Sequence, residues 1–184
     1  VRLLVACQAD LEVRSSVKRT PLLAAAVNRH FDCAQVLLDA KADVNARDFR
    51  NDTAVYAAAS QGGDELLKAL LNANAEVDIR TTLGLTGLMS AAMFNQLKCL
   101  PILINPKADI EARDNKNRTA LMLAAEGSHF KSMRILLDAK ANPHVTDPAF
   151  DPLFSVAEKG DFQSVRELIE ARAHLESTIK NNQT

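Results

Sequence analysis

The sequence predicts an all-α solenoid, a stack of one small helix-turn-helix unit with a projecting loop or hairpin between successive units. Three observations predict it. Thr20, Thr53, Thr86 and Thr119 fall 33 residues apart. Ala9, Ala42, Ala75, Ala108 and Ala141 mark a second point at the same period. Around these marks, the stretch from Leu37 to Ala59 carries the junction of two units: an apolar helix end, a polar turn, a short extended run, a polar loop and a new Ala-rich helix. A fixed period of this size is the signature of a stacked array. Each unit then contacts only its neighbours, and one core runs down the whole chain.

Taken in order, residues 1–19 form a partial repeat, followed by units 20–52, 53–85, 86–118, 119–150 and 151–183. Val1 to Ala6 align with Gln35 to Ala40, so they are expected to be the tail of a helix, with the array continuing before them. Lys180 to Thr184 resemble the loop and Thr that would open another unit. Against this, polar Glu167 stands where Leu3, Val36, Ile102 and Ile135 stand elsewhere, as suits a terminal cap. Thr20-Pro21 starts the first complete unit, because Thr is a preferred N-cap and Pro fits the first helical turn. The first helices are expected at Pro21–Asn28, Ala54–Gln61, Gly87–Phe94, Ala120–Glu126 and Pro152–Lys159. The second helices are expected at Phe31–Ala40, Asp64–Ala73, Leu97–Asn105, Phe130–Ala139 and Phe162–Ala171. Ala pairs such as Ala58-Ala59 let neighbouring first helices approach closely. Apolar pairs from Leu37-Leu38 to Leu168-Ile169 supply the buried stripe of the second helices. Leu11, Val44, Val77, Ile110 and Leu175 are the buried residues expected in the extended segments. Asn51, Gly84 and Asn117 supply the left-handed backbone that each loop needs before the next Thr. One residue is lost between His144 and Asp151, and Asp151 replaces Thr as N-cap.

Composition narrows the class further. The chain is 47% hydrophobic but only 4% aromatic, so Ala and Leu do the packing. A net charge of −1 gives no electrostatic case for nucleic acid or an anionic membrane. Cys33 and Cys99 occupy equivalent places two units apart, too far to bridge at helix spacings of about 10 Å, and the setting expected is intracellular, cytoplasmic or nuclear. No apolar run has the length of a membrane span, and Val1 to Cys7 lacks the form of a signal peptide.

The Thr-Pro-Leu helix start, the Ala-Ala and Leu-Leu pairs, and the Ala-Asp-Val-Asn run at residues 42–45 together resemble the ankyrin repeat. The resemblance covers the whole chain. It implies antiparallel helix pairs with projecting loops, stacked into a curved array whose concave side meets a partner protein. Three departures stand out. The family's His after Thr-Pro-Leu is replaced by Leu23, Tyr56, Met89, Met122 and Phe154, so packing must orient the helix starts. The Gly after each second helix is replaced by Gln8, Lys41, Asn74, Lys107, Lys140 and Arg172. These must either adopt the left-handed cap at about 1 kcal/mol each or turn differently. Pro101 lies too deep in its second helix for a first-turn Pro, so a late start or a kink is expected.

The sequence carries no nucleophile motif, glycine-rich phosphate loop or CxxC pair. His30, His129, His144 and His174 fall in different units without ligand spacing, and Asp10, Asp43, Glu76 and Asp109 read as turn and cap chemistry. No enzyme activity, cofactor or metal is expected. Arg14, Arg47, Arg80 and Arg113 form a ladder, one per loop. It either faces an acidic partner or is neutralised by Asp48, Asp114 and the acids of neighbouring loops. Asn45 sits in a context resembling the site some ankyrin repeats offer to an asparaginyl hydroxylase, or simply bonds across its own hairpin. The function expected is a monomeric, non-catalytic protein-interaction scaffold. The alternative is the regulatory or targeting arm of a larger enzyme, such as a kinase or ubiquitin ligase subunit, or of a channel. Phe49, Leu83, Leu85, Met93 and Phe94 are the partner-binding residues expected. Leu83 and Leu85 stand where Arg50 and Asp52, or Lys116 and Arg118, stand in other loops; Met93-Phe94 ends a first helix where others end in Ser60-Gln61 or Glu126-Gly127; and Phe49 on the preceding loop extends the same surface. Met93 and Phe94 could instead turn inward to fill space beside the Pro101 helix.

Overall fold

A computed structural model describes residues 9–105, 108–143 and 151–181, the side chains of 172–181 excepted. Ten helices lie among these residues: α1 (Pro21–Val27), α2 (Phe31–Asp39), α3 (Ala54–Gln61), α4 (Asp64–Asn72), α5 (Gly87–Met93), α6 (Cys99–Ile104), α7 (Ala120–Glu126), α8 (Phe130–Asp138), α9 (Pro152–Glu158) and α10 (Phe162–Asn181). No strand is found among them. The odd-numbered helices pack on one another down the stack, α1 on α3, α3 on α5, α5 on α7 and α7 on α9. The even-numbered helices form the second layer in the same way.

Each odd helix begins on the residue the period marks. Thr20, Thr53, Thr86 and Thr119 are extended, and each accepts through Oγ1 from the backbone N–H three residues on. This satisfies one of the donors a helix start leaves orphaned. Asp151 does the same for Leu153 N–H. The residues replacing the family's His therefore sit on the capped turn itself. Leu23, Met89 and Met122 are buried there, Tyr56 is half-buried, and Phe154 is exposed. The Ala pairs Ala25-Ala26, Ala58-Ala59, Ala91-Ala92 and Ala124-Ala125 are all buried in the core.

Polar registration between units comes from places that no single repeat reveals. Glu12, Asn45, Asp78 and Glu111 each accept the backbone N–H of the residue 31 positions on, namely Asp43, Glu76, Asp109 and Asn142. Asn45 is thus engaged across to the next loop: Oδ1 accepts from Glu76 N–H at 2.9 Å and Nδ2 donates to Glu76 Oε1. At the other end of the odd helices, Gln61, Gln96 and Lys159 donate to the final carbonyls of the preceding unit, at Val27, Ser60 and Glu126. The His129 ring lies 3.1 Å from the Met93 carbonyl in the equivalent place. These contacts provide the orientation that the absent family His would otherwise help to fix.

Lys41, Asn74 and Lys140 adopt the left-handed conformation at φ 66°, 62° and 71°, so the Gly-less exits take the strained cap and not a different turn. Arg172 differs, because α10 runs through it to Asn181. The last unit therefore has neither the exit turn nor the extended segment expected around Leu175, and Lys180 and Asn181 are helical, not loop. Ile169, expected in the buried stripe, faces solvent while Leu168 is fully buried. Pro101 produces a late start: α6 begins at Cys99, which leaves Pro101 in the first turn where no N–H is required. Burial pushes the Cys99 thiol up to about 11, Asp64 adding to the effect and Lys98 opposing it. The expectations for Val1 to Ala6, Gln8, Lys107 and His144 fall outside the described residues, as does the side chain of His174.

Candidate protein-interaction surface

The loops between units are built around one pivot position. Asp48 Oδ1 accepts the N–H groups of Arg50 and Asp52, and Asp114 Oδ1 accepts those of Lys116 and Arg118. Thr81 Oγ1 accepts from Leu83 and Leu85, and Ser15 Oγ from Arg19. Each tip is closed by a pair of backbone bonds, as in Asn51 N–H to Asp48 and Asp48 N–H to Asp52. The residue after the turn is left-handed: Lys18, Asn51, Gly84 and Asn117 lie at φ 61°, 59°, 78° and 64°. Asn51, Gly84 and Asn117 were the residues expected to do this. Gly84 also has a packing reason to be Gly, since a Cβ there would come within 2.5 Å of Asn115 Oδ1 and 2.8 Å of Asn115 N.

Adjacent tips are tied in a row. The N–H groups of Phe49, Thr82 and Asn115 donate to the carbonyls of Val17, Arg50 and Leu83. This ladder sets Val17, Phe49 and Leu83 side by side along the tips. Phe49 is 51% exposed and Leu83 66% exposed. Both line a cleft of about 380 Å³ with Arg50, Asp52, Tyr56 and Thr82. The Arg50 guanidinium lies 5.2 Å from the Phe49 ring centroid, a cation–π contact. Burial pushes the Tyr56 hydroxyl above its usual range, with the Asp52 charge contributing.

The five residues expected to form one patch do not share one environment. Phe49 and Leu83 come together at the cleft. Leu85 is only 5% exposed and belongs to the core, which corrects its assignment to a surface. The reason lies in the pivot. At the positions equivalent to Leu85, Arg19 pairs with Asp48 and Arg118 pairs with Asp114. In unit 53–85 the pivot is neutral Thr81 and Asp114 of the next loop is already paired with Arg118, so an apolar side chain occupies the covered place. Met93 packs partly against the core, so the inward alternative holds for it. Phe94 is 48% exposed but ends α5, one helix length of about 10 Å from the Leu83 loop. Val17 and Tyr56 were missed. Val17 is repeat-equivalent to Leu83, a signal that was available.

On the far side the surface is bounded by charge. Asp114 Oδ2 accepts from Arg118 Nε at 2.9 Å and Nη2 at 2.7 Å, while Arg118 Nη1 reaches Glu126 at 2.7 Å. Burial alone would raise the Asp114 carboxyl, but the bonds from the Arg118 side chain and from the Arg118 and Lys116 backbone hold it below the usual carboxylate range. Asp52 goes the other way. Burial and the Asp48 charge raise it, against Arg50 and Arg19.

Asp48 and Asp114 do not neutralise the Arg ladder. Among the described residues the acids Asp48 and Asp114 pair with Arg19 and Arg118, and none of Arg14, Arg47, Arg80 and Arg113 forms an ion pair. Arg14, Arg80 and Arg113 instead donate to the left-handed carbonyls of Lys18, Gly84 and Asn117. A single partly exposed bond of this kind is worth about 1 kcal/mol or less. Arg80→Ala should accordingly lower the melting temperature by only a few degrees in a thermal scan.

The fold and its loop row are those of an ankyrin array. The family model for ankyrin repeats matches residues 1–81 and 54–147, and the chain belongs to that family. α9 and α10 lie beyond the match and continue the same stacking. A search of curated proteins found no match. Ankyrin repeats are generally protein–protein interaction modules and are typically non-catalytic. No helix of the described residues is long and apolar enough to cross a membrane.

Proposed function

We propose that this chain is a non-catalytic scaffold that binds a partner protein along the row of loop tips, with the Phe49–Leu83 cleft at its centre. The observation that carries this reading is the pairing of two large exposed apolar side chains in one cleft. Interface cores are enriched in such residues, and an exposed apolar patch on an otherwise polar row marks an interaction site. The mechanism is presentation. The stack and its inter-unit bonds hold the tips at fixed spacing, so little ordering cost falls on binding.

The test uses a double variant, Phe49→Ser with Leu83→Ser. Both sites are exposed, so the melting temperature should stay close to that of the parent chain. Partner capture should fall by about tenfold or more, as for loss of central apolar anchors. Phe162→Ser, on the exposed start of α10, serves as the control and should leave capture unchanged. Equal capture by the double variant and the parent would rule the cleft out.

A further inference from the structure

Charge on the loops is banded in a way the near-zero net charge conceals. The four tip segments 13–19, 46–52, 79–85 and 112–118 hold nine basic and three acidic residues. Two of those three acids, Asp48 and Asp114, are buried and spent on internal bonds. The segments just before the tips, 9–12, 42–45, 75–78 and 108–111, hold seven acids and no base. A cationic rim therefore borders the apolar cleft, and an acidic belt lies behind it.

Resting on the loop-tip reading above, we infer that the partner is an acidic peptide segment with a large apolar side chain among its carboxylates. The apolar side chain enters between Phe49 and Leu83. The carboxylates meet Arg14, Arg47, Arg50, Arg80 and Arg113, which form no ion pair among the described residues. Arg guanidinium groups suit carboxylates through their paired donors. Stacked units are spaced about 8–10 Å apart, and an extended chain rises about 3.3 Å per residue. One carboxylate at every third residue of an extended segment would match successive loops. A nucleic-acid backbone is a poor fit, because the rim is one loop segment deep and the acidic belt behind it repels a continuous polyanion.

The experiment is a fluorescence-anisotropy titration of the whole chain at low salt. The probe is a labelled synthetic peptide of about ten residues with glutamate at every third position and one central phenylalanine. Three comparison probes are used: the same peptide with glutamine for glutamate, the same peptide with serine for phenylalanine, and a labelled single-stranded oligonucleotide. Saturable binding of the first probe is expected, weakened by salt and by about tenfold for each comparison peptide. Arg47→Gln with Arg50→Gln should weaken the first probe similarly without changing the melting temperature. Equal binding of the glutamine peptide, tighter binding of the oligonucleotide, or no effect of the double Arg variant would overturn the inference. No saturable binding would also overturn it. If the Phe49/Leu83 variant still loses partner capture while the acidic peptide fails, the loop-tip reading stands and only the partner chemistry is wrong.

Discussion

Leu85→Asp should unfold at least the junction between unit 53–85 and α5. Leu85 is buried beside the N-cap of α5, and its N–H and carbonyl are both engaged with Thr81. Removing a buried leucine side chain costs about 2–5 kcal/mol, and placing an unpaired carboxylate there costs several more. Single domains have only about 5–15 kcal/mol to lose. The expected result is a melting temperature lowered by well over ten degrees, or a chain that does not fold. Leu83→Asp, two residues away and exposed, should change stability by about 0.5 kcal/mol at most. Circular dichroism melts of the pair check this directly, and similar melts for the two would show that Leu85 is not buried.

Asp114→Ala should be the most damaging change among the loop charges. It leaves the N–H groups of Lys116 and Arg118 without their acceptor and strips Arg118 of its two-bond partner. Breaking such a buried pair from one side costs about 2–4 kcal/mol. Asp114→Asn keeps an acceptor oxygen and should cost about half as much. The pH dependence follows from the sign of the shift. Asp114 is held below its ordinary value in the folded chain, so its contribution is complete above the unfolded carboxylate pKa, about 4. It is then lost as pH falls through the lower folded value. Urea melts of parent and Asp114→Asn should therefore converge at acid pH and stay apart at neutral pH. Asp52, raised in the folded chain, works in the opposite sense. Its contribution is full below the unfolded pKa and is lost as pH rises through the folded one, so its protonation relieves the fold as pH drops.

Much of the fold was legible because one unit is written several times over. The Thr caps, the Ala pairs, the left-handed Asn51, Gly84 and Asn117 and the late start at Pro101 follow from local backbone chemistry repeated at one period. The long α10 was not legible. Its exit turn depended on a residue at position 172 taking a left-handed cap, and Arg172 is an ordinary helix former. The surface was harder to read because exposure depends on neighbouring loops. Leu85 aligns with Arg19, Asp52 and Arg118, all charged, and nothing local says that this place is half-covered. The fate of the Arg ladder was hidden for the same reason. Which carboxylate an Arg meets depends on how the loops stack, and Asp48 is taken by Arg19 from the loop before it.

The central claim is that the loop row around Phe49 and Leu83 meets the partner. The most direct measurement places a photoreactive amino acid at position 83, and separately at position 162, and irradiates the partner-bound chain. The account predicts a covalent product from position 83 and none from position 162, with the label mapping to an acidic segment of the partner. Crosslinking from position 162 with none from position 83 would contradict it.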